Sequence, residues 1–251
     1  MRHPIRIIDT GLGPARWNVA MTAALAELHE KTEIPDTLRF HRYSRCVLLG
    51  RSQDAGRAAS LVYCKSEGID IARRVTGGGA VFMCPQLLAW DVVVDRAAWA
   101  TSLEAITRHV GEGIATGLSR LGVMARFRAP NDVEIGGRKV SGSSGYIGRR
   151  SAVLQGTVLL TDEIAVMARA LHLPEASLRS SITSLAEACG HVPLLWQVML
   201  GVLRGLTETL GREPVIQPLS AREAAYCEAL LREEIGTDAF VFGTHDTAAS
   251  A

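Results

Sequence analysis

The sequence lacks the features that would commit it to a nucleic acid, a membrane or a structural metal. Its 27 lysines and arginines nearly match its 26 aspartates and glutamates, leaving a formal charge of +1 with both signs interspersed. So balanced a chain has no bulk field with which to hold a nucleic acid or an anionic lipid surface, and neither is expected as a partner. No apolar run approaches the roughly 20 residues that cross a bilayer. Met1-Arg2-His3-Pro4 leads straight into strand-like sequence instead of a signal-peptide core, so a cytoplasmic location is expected. The five cysteines, Cys46, Cys64, Cys84, Cys189 and Cys227, are widely spaced, odd in number and free of any Cys-x-x-Cys. That pattern fits reduced thiols. Seven histidines show no His-Glu-x-x-His or comparable spacing, which argues against a zinc site.

What is present is concentrated in two segments. Arg73-Arg74-Val75-Thr76-Gly77-Gly78-Gly79-Ala80-Val81-Phe82 couples two guanidinium forks to bare backbone. Three glycines let main-chain N–H groups approach an anion closely, and the arginines suit phosphate or carboxylate oxygens. The apolar residues that follow read as a strand. An ordinary hairpin beside surface arginines would look much the same. The second segment is Asn131-Asp132-Val133-Glu134-Ile135-Gly136-Gly137-Arg138-Lys139-Val140-Ser141-Gly142-Ser143. Gly136-Gly137 between two strand-like runs signals a two-residue hairpin, since both central positions of its turn need positive φ. Alternation on the return strand sends Lys139 to one face and Arg138 with Val140 to the other. Lys139 is then either a solvated strand lysine or a cation facing the glycine loop; spacing alone leaves both open.

Length fits one α/β domain or two small ones. The spacing predicts a first helix from Pro14 with an apolar face of Trp17, Ala20, Met21, Ala24, Leu25 and Leu28. Strands are predicted at Leu38–Tyr43, Cys46–Leu49 and Ala89–Val94. Thr101-Ser102-Leu103-Glu104 reads as a capping box opening a helix to Gly122. Beyond it come strand, hairpin and strand to Leu160, with Gly142–Gly148 as a flexible connection. Thr161-Asp162 caps a short helix, Leu194 to Leu210 forms another, and Ser220-Ala221-Arg222-Glu223 opens a last one through about Glu234. The expected fold is α/β of the α+β type: helices flanking a mixed, largely antiparallel sheet. No repeat or long linker interrupts it, so residues 1–243 are expected to form one domain and 244–251 a disordered tail.

The two segments together resemble the lipoate–protein ligase family, part of the wider group of biotin ligases, lipoate ligases and octanoyltransferases. Further matches follow in the family's order: Trp17-Asn18-Val19-Ala20, Leu49-Gly50-Arg51-Ser52-Gln53, Gln155-Gly156-Thr157-Val158-Leu159-Leu160 and Arg179-Ser180-Ser181-Ile182-Thr183-Ser184-Leu185. The likeness spans about residues 1 to 190 and implies a biotin/lipoate ligase-like catalytic domain. It also implies an ATP-dependent enzyme that joins lipoate, or a related medium-chain acid, to a lysine of a lipoyl-domain protein through an acyl-adenylate. Lys139 matches the family's catalytic lysine, and Arg74 with Gly77, Gly78, Gly79, Ala80, Val81 and Phe82 matches the nucleotide segment. Asn131 and Asp132 sit where the family places polar groups near adenylate and metal, with Asp132 a candidate Mg²⁺ ligand. Arg51, Gln53, Gly142, Ser143, Gln155, Gly156 and Thr157 are candidates for the acyl pocket.

Two departures stand out. Met83 replaces the histidine that commonly follows Gly-Gly-Gly-Ala-Val-Phe, and Gln155 replaces the usual histidine before Gly-Thr. The rival enzymatic reading is an octanoyltransferase working through a cysteine thioester without ATP. That chemistry needs a pocket-facing thiol after the lysine, and none lies between Lys139 and Leu160. A third reading is a non-catalytic subunit that binds lipoyl-domain proteins. The family's catalytic domain often continues into a small accessory domain. The stretch after the last helix is too short for a full one, so the expectation is either a separate accessory subunit, which is favoured, or a dispensable accessory domain.

Overall fold

The structure, a computed structural model, describes residues 3–98 and 102–243. The expected tail, 244–251, and Thr101 lie outside them. The chain begins with β1 (His3–Gly13) and α1 (Ala15–Glu30), with Pro14 at the N-cap in an extended conformation, not in the first turn. Next come β2 (Thr37–Tyr43), β3 (Cys46–Leu49), α2 (Ala55–Ala58), α3 (Leu61–Ser66), β4 (Asp70–Arg73), β5 (Val81–Met83) and β6 (Leu87–Asp95). The long helix α4 (Leu103–Ser119) leads to β7 (Ala125–Arg128), β8 (Asp132–Ile135), β9 (Arg138–Ile147) and β10 (Ser151–Leu159). Then follow α5 (Ile164–Ala170), α6 (Glu175–Ser181), α7 (Leu185–Cys189), α8 (Leu195–Thr209), β11 (Arg212–Ile216), α9 (Ala221–Leu230) and α10 (Asp238–Phe242).

Eight strands form one sheet in the order β11-β1-β2-β6-β10-β9-β8-β7. β1 runs parallel to β11 and β2, and every other neighbouring pair is antiparallel. This is the mixed, largely antiparallel sheet that the sequence predicts. A second, three-stranded sheet, β4-β3-β5, was not anticipated. α1 lies between the two sheets, so residues beyond its predicted stripe are also buried, among them Val19, Ala23 and Ala26.

β6 shows the layering most clearly. Leu88, Trp90, Val92 and Val94 point to one core with α4 and α8, while Leu87, Ala89 and Val93 point to the other with α1 and the small sheet. A strand covered on both faces reads as a continuous apolar run, as this one does. Inside that run, Asp91 is the exception.

Several local expectations change. Gly142–Gly148 is not a flexible connection: β9 continues to Ile147, each residue from Ser141 onward paired with β10. Tertiary pairing overrides the weak strand preference of glycine and serine, and the sheet needs the small residues there. A Cβ on Gly145 would lie 2.4 Å from the Val153 carbonyl oxygen. The cap of α4 is Ser102, whose hydroxyl accepts from the Ala105 N–H at 3.2 Å. α5 is capped by Glu163 without a side-chain bond, one residue later than predicted. α9 opens with the predicted Ser220–Glu223 capping box, but its regular part stops at Leu230. A single π turn and α10, which the sequence reading did not foresee, complete the described chain.

α4 and α8 pack unusually close. A Cβ on Gly205 would sit 2.1 Å from the Gly113 carbonyl oxygen and 2.6 Å from the Gly117 nitrogen. Only backbone lies in the way, so the helices would have to separate. Gly205→Ala should therefore cost about 1–3 kcal/mol, the usual range for overpacking, read as a lowered midpoint in urea. On the far side of the sheet, Arg6 of β1 and Glu223 of α9 form an ion pair buried to 6% and 1% exposure. Burial pushes the Glu223 carboxyl up, but hydrogen bonds from Arg6 and Ser220 outweigh it and hold it below its ordinary value of 4.5. A carboxyl depressed in the folded state adds stability at neutral pH and loses it as pH falls through the folded value. Thermal melts of Glu223→Gln should thus be lowered at pH 7, and the gap from the unsubstituted chain should close in acid below about 4.5.

Candidate functional site

The glycine loop joins β4 to β5 and is shaped from within by Arg74. This side chain is only 4% exposed and donates to the carbonyls of Leu48 (3.0 Å), Gly77 (2.8 Å) and Gly79 (2.7 Å). Burial draws its pKa down to about 10. Arg73 points the other way. It donates to the carbonyls of Gly50, Arg51 and Gln53 on one side and to those of Phe240 and Val241 on the other. Read from sequence, both guanidinium groups suit external anions. In the structure both are spent on carbonyl oxygens of the chain itself, those of Gly77 and Gly79 in the loop among them. The hydroxyl of Thr76 then ties the loop to the large sheet through Gln155 Oε1 at 2.8 Å and Ser144 Oγ at 2.9 Å. Gln155, one of the two departures, thus accepts a hydrogen bond that holds the loop in place. Met83, the other, is buried and lines the cavity.

Lys139 reaches the same place by a different route. Gly136 and Gly137 adopt φ +59° and +80°, the turn their sequence demands. On the return strand the register slips: Glu134 pairs with Lys139 but Val133 pairs with Ser141, leaving Val140 as an extra residue. This bulge places Lys139 on the same face as Gly142 and Asp132 while Val140 enters the α4–α8 core. The lysine lies directly over Gly142, where a Cβ would come within 2.4 Å of its Cε and Nζ. Its ammonium pairs with Asp132 Oδ1 at 2.7 Å, and its carbonyl accepts from the Thr183 N–H at 2.9 Å. The two-way choice left by spacing is resolved: Lys139 faces the glycine loop across a cavity of about 350 Å³.

Arg74, Gly78, Gly79, Ala80, Val81 and Phe82 form one wall of that cavity. Asn131, Lys139, Gly142 and Ser143 form the opposite wall, with Gln155, Gly156 and Thr157 between them. The other four candidates do not line it. Gln53 turns its Oε1 back to accept from the Gly50 N–H at 2.9 Å, and Arg51 is exposed, its backbone N–H donating to the Thr76 carbonyl. Both brace the loop from behind. Gly77 presents its carbonyl to Arg74. Asp132 has both carboxylate oxygens in ion pairs, with Lys139 and with Arg128 Nη2 at 2.8 Å. Among the described residues no cluster of three or more metal-binding side chains occurs. A carboxylate already holding two cations does not fit the Mg²⁺ ligand first expected of it.

The sequence reading missed the inner end of the cavity, where His41 and Tyr43 of β2 and Asp91 of β6 point inward. The signal was available: strand alternation in Arg39-Phe40-His41-Arg42-Tyr43 puts three polar side chains on one face, and Asp91 breaks an apolar run. It also missed an apolar wall from the α5–α6 region, including Met167, Leu178 and Ile182. None of the five cysteines lines the cavity. Cys84, which directly follows β5, is buried, which pushes its thiol up to about 11.

These elements define a catalytic domain of the lipoate-ligase fold. Two solved structures share it with a TM-score of 0.86 at 23% identity. One is described as a bi-partite lipoate protein ligase and its E2 lipoyl domain from Thermoplasma acidophilum, covering 100% of both chains. The other is a lipoate-protein ligase A bound with ATP, covering 98% of this chain and 100% of that one. The chain belongs to the lipoyl protein ligase A/B catalytic domain family, which is matched over residues 14–207. Among curated relatives, the octanoyltransferase LipM of Symbiobacterium thermophilum is 29% identical, over 93% of this chain and 96% of its own length.

The loop's position rests on one close approach. A Cβ on Gly50 would fall 1.9 Å from the Gly78 carbonyl oxygen. Gly50→Ala should displace the glycine loop without unfolding the sheet. The expected result is a circular dichroism spectrum like that of the unsubstituted chain, with faster amide hydrogen exchange confined to the glycine loop and the turn at Gly50.

Proposed function

We propose that this chain activates lipoate, or a related medium-chain acid, with ATP and transfers it to a lysine of a lipoyl-domain protein. One observation carries the reading: the ammonium of Lys139 and the backbone of the glycine loop face each other across one cavity that no thiol lines. A carboxylate forms no amide unaided, so ATP supplies a phosphate leaving group. The residues present suit that need. Loop N–H groups, freed by Arg74's hold on the loop carbonyls, can receive phosphate oxygens, as in other backbone cradles. Lys139 can oppose the charge that gathers on the reacting phosphate and, in the second step, on the acyl oxygen. Asp132 fixes the ammonium so that it does not have to be ordered during reaction. Two unit charges about 4 Å apart interact by about 4 kcal/mol at an effective dielectric near 20, roughly a thousandfold in rate. No step is routed through a metal.

The LipM relative keeps the transferase reading in view, and the absence of a cavity thiol weighs against it. A lipoyl domain as acceptor follows from this reading, and the Thermoplasma acidophilum structure is described as a bi-partite lipoate protein ligase and its E2 lipoyl domain. A separate accessory polypeptide is proposed on the same likeness. Residues 1–243 are taken as one catalytic domain and the setting as cytoplasmic; no described helix is long and apolar enough to cross a membrane.

Lipoate-dependent ATP–pyrophosphate exchange is the deciding assay. The unsubstituted protein should show it, and Lys139→Ala should lower it about a thousandfold. Near-normal exchange by Lys139→Ala would remove the role assigned to the lysine. Absence of exchange in the unsubstituted protein, with an acyl thioester trapped on a cysteine, would establish the transferase instead.

A further inference from the structure

The inner end of the cavity is lined by three residues that carry polar atoms the protein itself leaves unsatisfied. His41, Tyr43 and Asp91 are 1%, 1% and 0% exposed, yet all three border the cavity. Both ring nitrogens of His41, the hydroxyl of Tyr43 and Oδ1 of Asp91 lack a hydrogen-bond partner. Asp91 Oδ2, in contrast, is fully engaged, accepting from Thr22 Oγ1 at 2.9 Å and from Arg39 Nη1 at 3.1 Å. His41 Nδ1 stands 3.8 Å from that same oxygen, beyond hydrogen-bond reach. The His41 and Tyr43 rings meet edge-on with centroids 5.1 Å apart, so the three groups form a row along one face of β2 and β6.

Buried polar atoms are almost always paired. Four unpaired ones on three residues that line the same cavity mark a place where a ligand supplies the missing bonds. The character of the row limits the ligand. Burial, reinforced by the positive charge of Arg39, holds His41 well below its ordinary value of 6.5, so the ring is a neutral imidazole with one donor and one acceptor. Tyr43 can also do both, and Asp91 Oδ1 accepts. Arg39 and Asp91 balance one another's charge, which leaves nothing to compensate a charged group. The matching chemistry is neutral and both donates and accepts.

Distance says which part of a substrate arrives there. In the sheet order β2-β6-β10-β9, the row stands two and three strand positions from Lys139. At ordinary strand spacing that is about 10–14 Å, a span comparable to extended octanoate. With the carboxyl end at Lys139, the far end of the chain meets His41, Tyr43 and Asp91. A plain hydrocarbon tail or a dithiolane ring would displace water from these groups and return no hydrogen bond.

We propose that the inner end of this cavity recognises a medium-chain carboxylic acid whose far end carries a neutral group that donates and accepts hydrogen bonds, a terminal hydroxyl being the simplest. The inference rests on the reading of the cavity as an acid-binding site. It is tested by binding rather than turnover. Isothermal titration calorimetry should compare ω-hydroxyoctanoic, octanoic and lipoic acids on the full-length protein. The hydroxy acid should bind at least about tenfold more tightly than octanoate, since a site with unpaired polar groups discriminates against the ligand that lacks their partner. His41→Phe should abolish or invert that preference. Tyr43→Phe removes a single hydroxyl from an unchanged ring and should narrow the preference even if the histidine variant does not fold. Equal or weaker binding of the hydroxy acid, or binding of none of the three, would overturn the proposal and leave ordered water as the row's partner. ATP–pyrophosphate exchange with each acid is scored separately. An acid preference without exchange keeps this inference and ends the ligase reading; exchange without preference does the reverse.

Discussion

The bulge at Val140 is the constraint on which the site depends. In a strand of unbroken alternation Lys139 would share its face with Ser141, which pairs with the core residue Val133, and not with Gly142. One extra residue between paired positions moves the lysine to the Gly142 face and drops Val140 into the core between the sheet and the α4–α8 pair. Both halves of that exchange are supported. Val140 is fully buried, so returning it to the ladder would leave a hole in a close-packed interior. Lys139 is held at its carbonyl by Thr183 and at its ammonium by Asp132, with Gly142 beneath it because a larger residue would occupy its space.

The glycine loop is assembled by the opposite strategy. Its charge is turned inward: Arg74 gathers loop carbonyls, and Thr76 links the assembly to Ser144 and Gln155 on the large sheet. The two sheets are therefore tied together at the cavity by hydrogen bonds as well as by the apolar packing around α1. A loop whose carbonyls are already bound is held in one shape by the protein itself.

How far the sequence discloses this depends on the kind of interaction. Periodic elements were legible: the stripe of α4, the strands from Leu38 to Leu49, the buried run of β6 and the Gly136-Gly137 turn each follow from side-chain period and turn chemistry. The site's two principal parts were legible as motifs. What alternation could not reveal was the bulge, because it is defined by pairing with β8 and not by residues in β9 alone. Continuity of β9 through Ile147 was hidden for a similar reason, as those glycines and serines are held in the strand by pairing with β10. Arg51, Gln53 and Asp132 read as ligand-facing because their spacing is right; burial and pairing turn them to support. The row of His41, Tyr43 and Asp91 lay in plain alternation. It was passed over because polar residues in a core strand draw notice only once the cavity beside them is known.

Arg73 gives the last described helix a place in the site's mechanics. Its guanidinium spans from the turn at Gly50 to the carbonyls of Phe240 and Val241, so the end of the described chain and the turn behind the glycine loop share one buried cation. A polypeptide that docked against α10 and shifted it would withdraw acceptors from that cation, and the turn carrying Gly50 would feel the change. News of an attached neighbour could in this way be delivered to the glycine loop through a single side chain, with no movement of the large sheet.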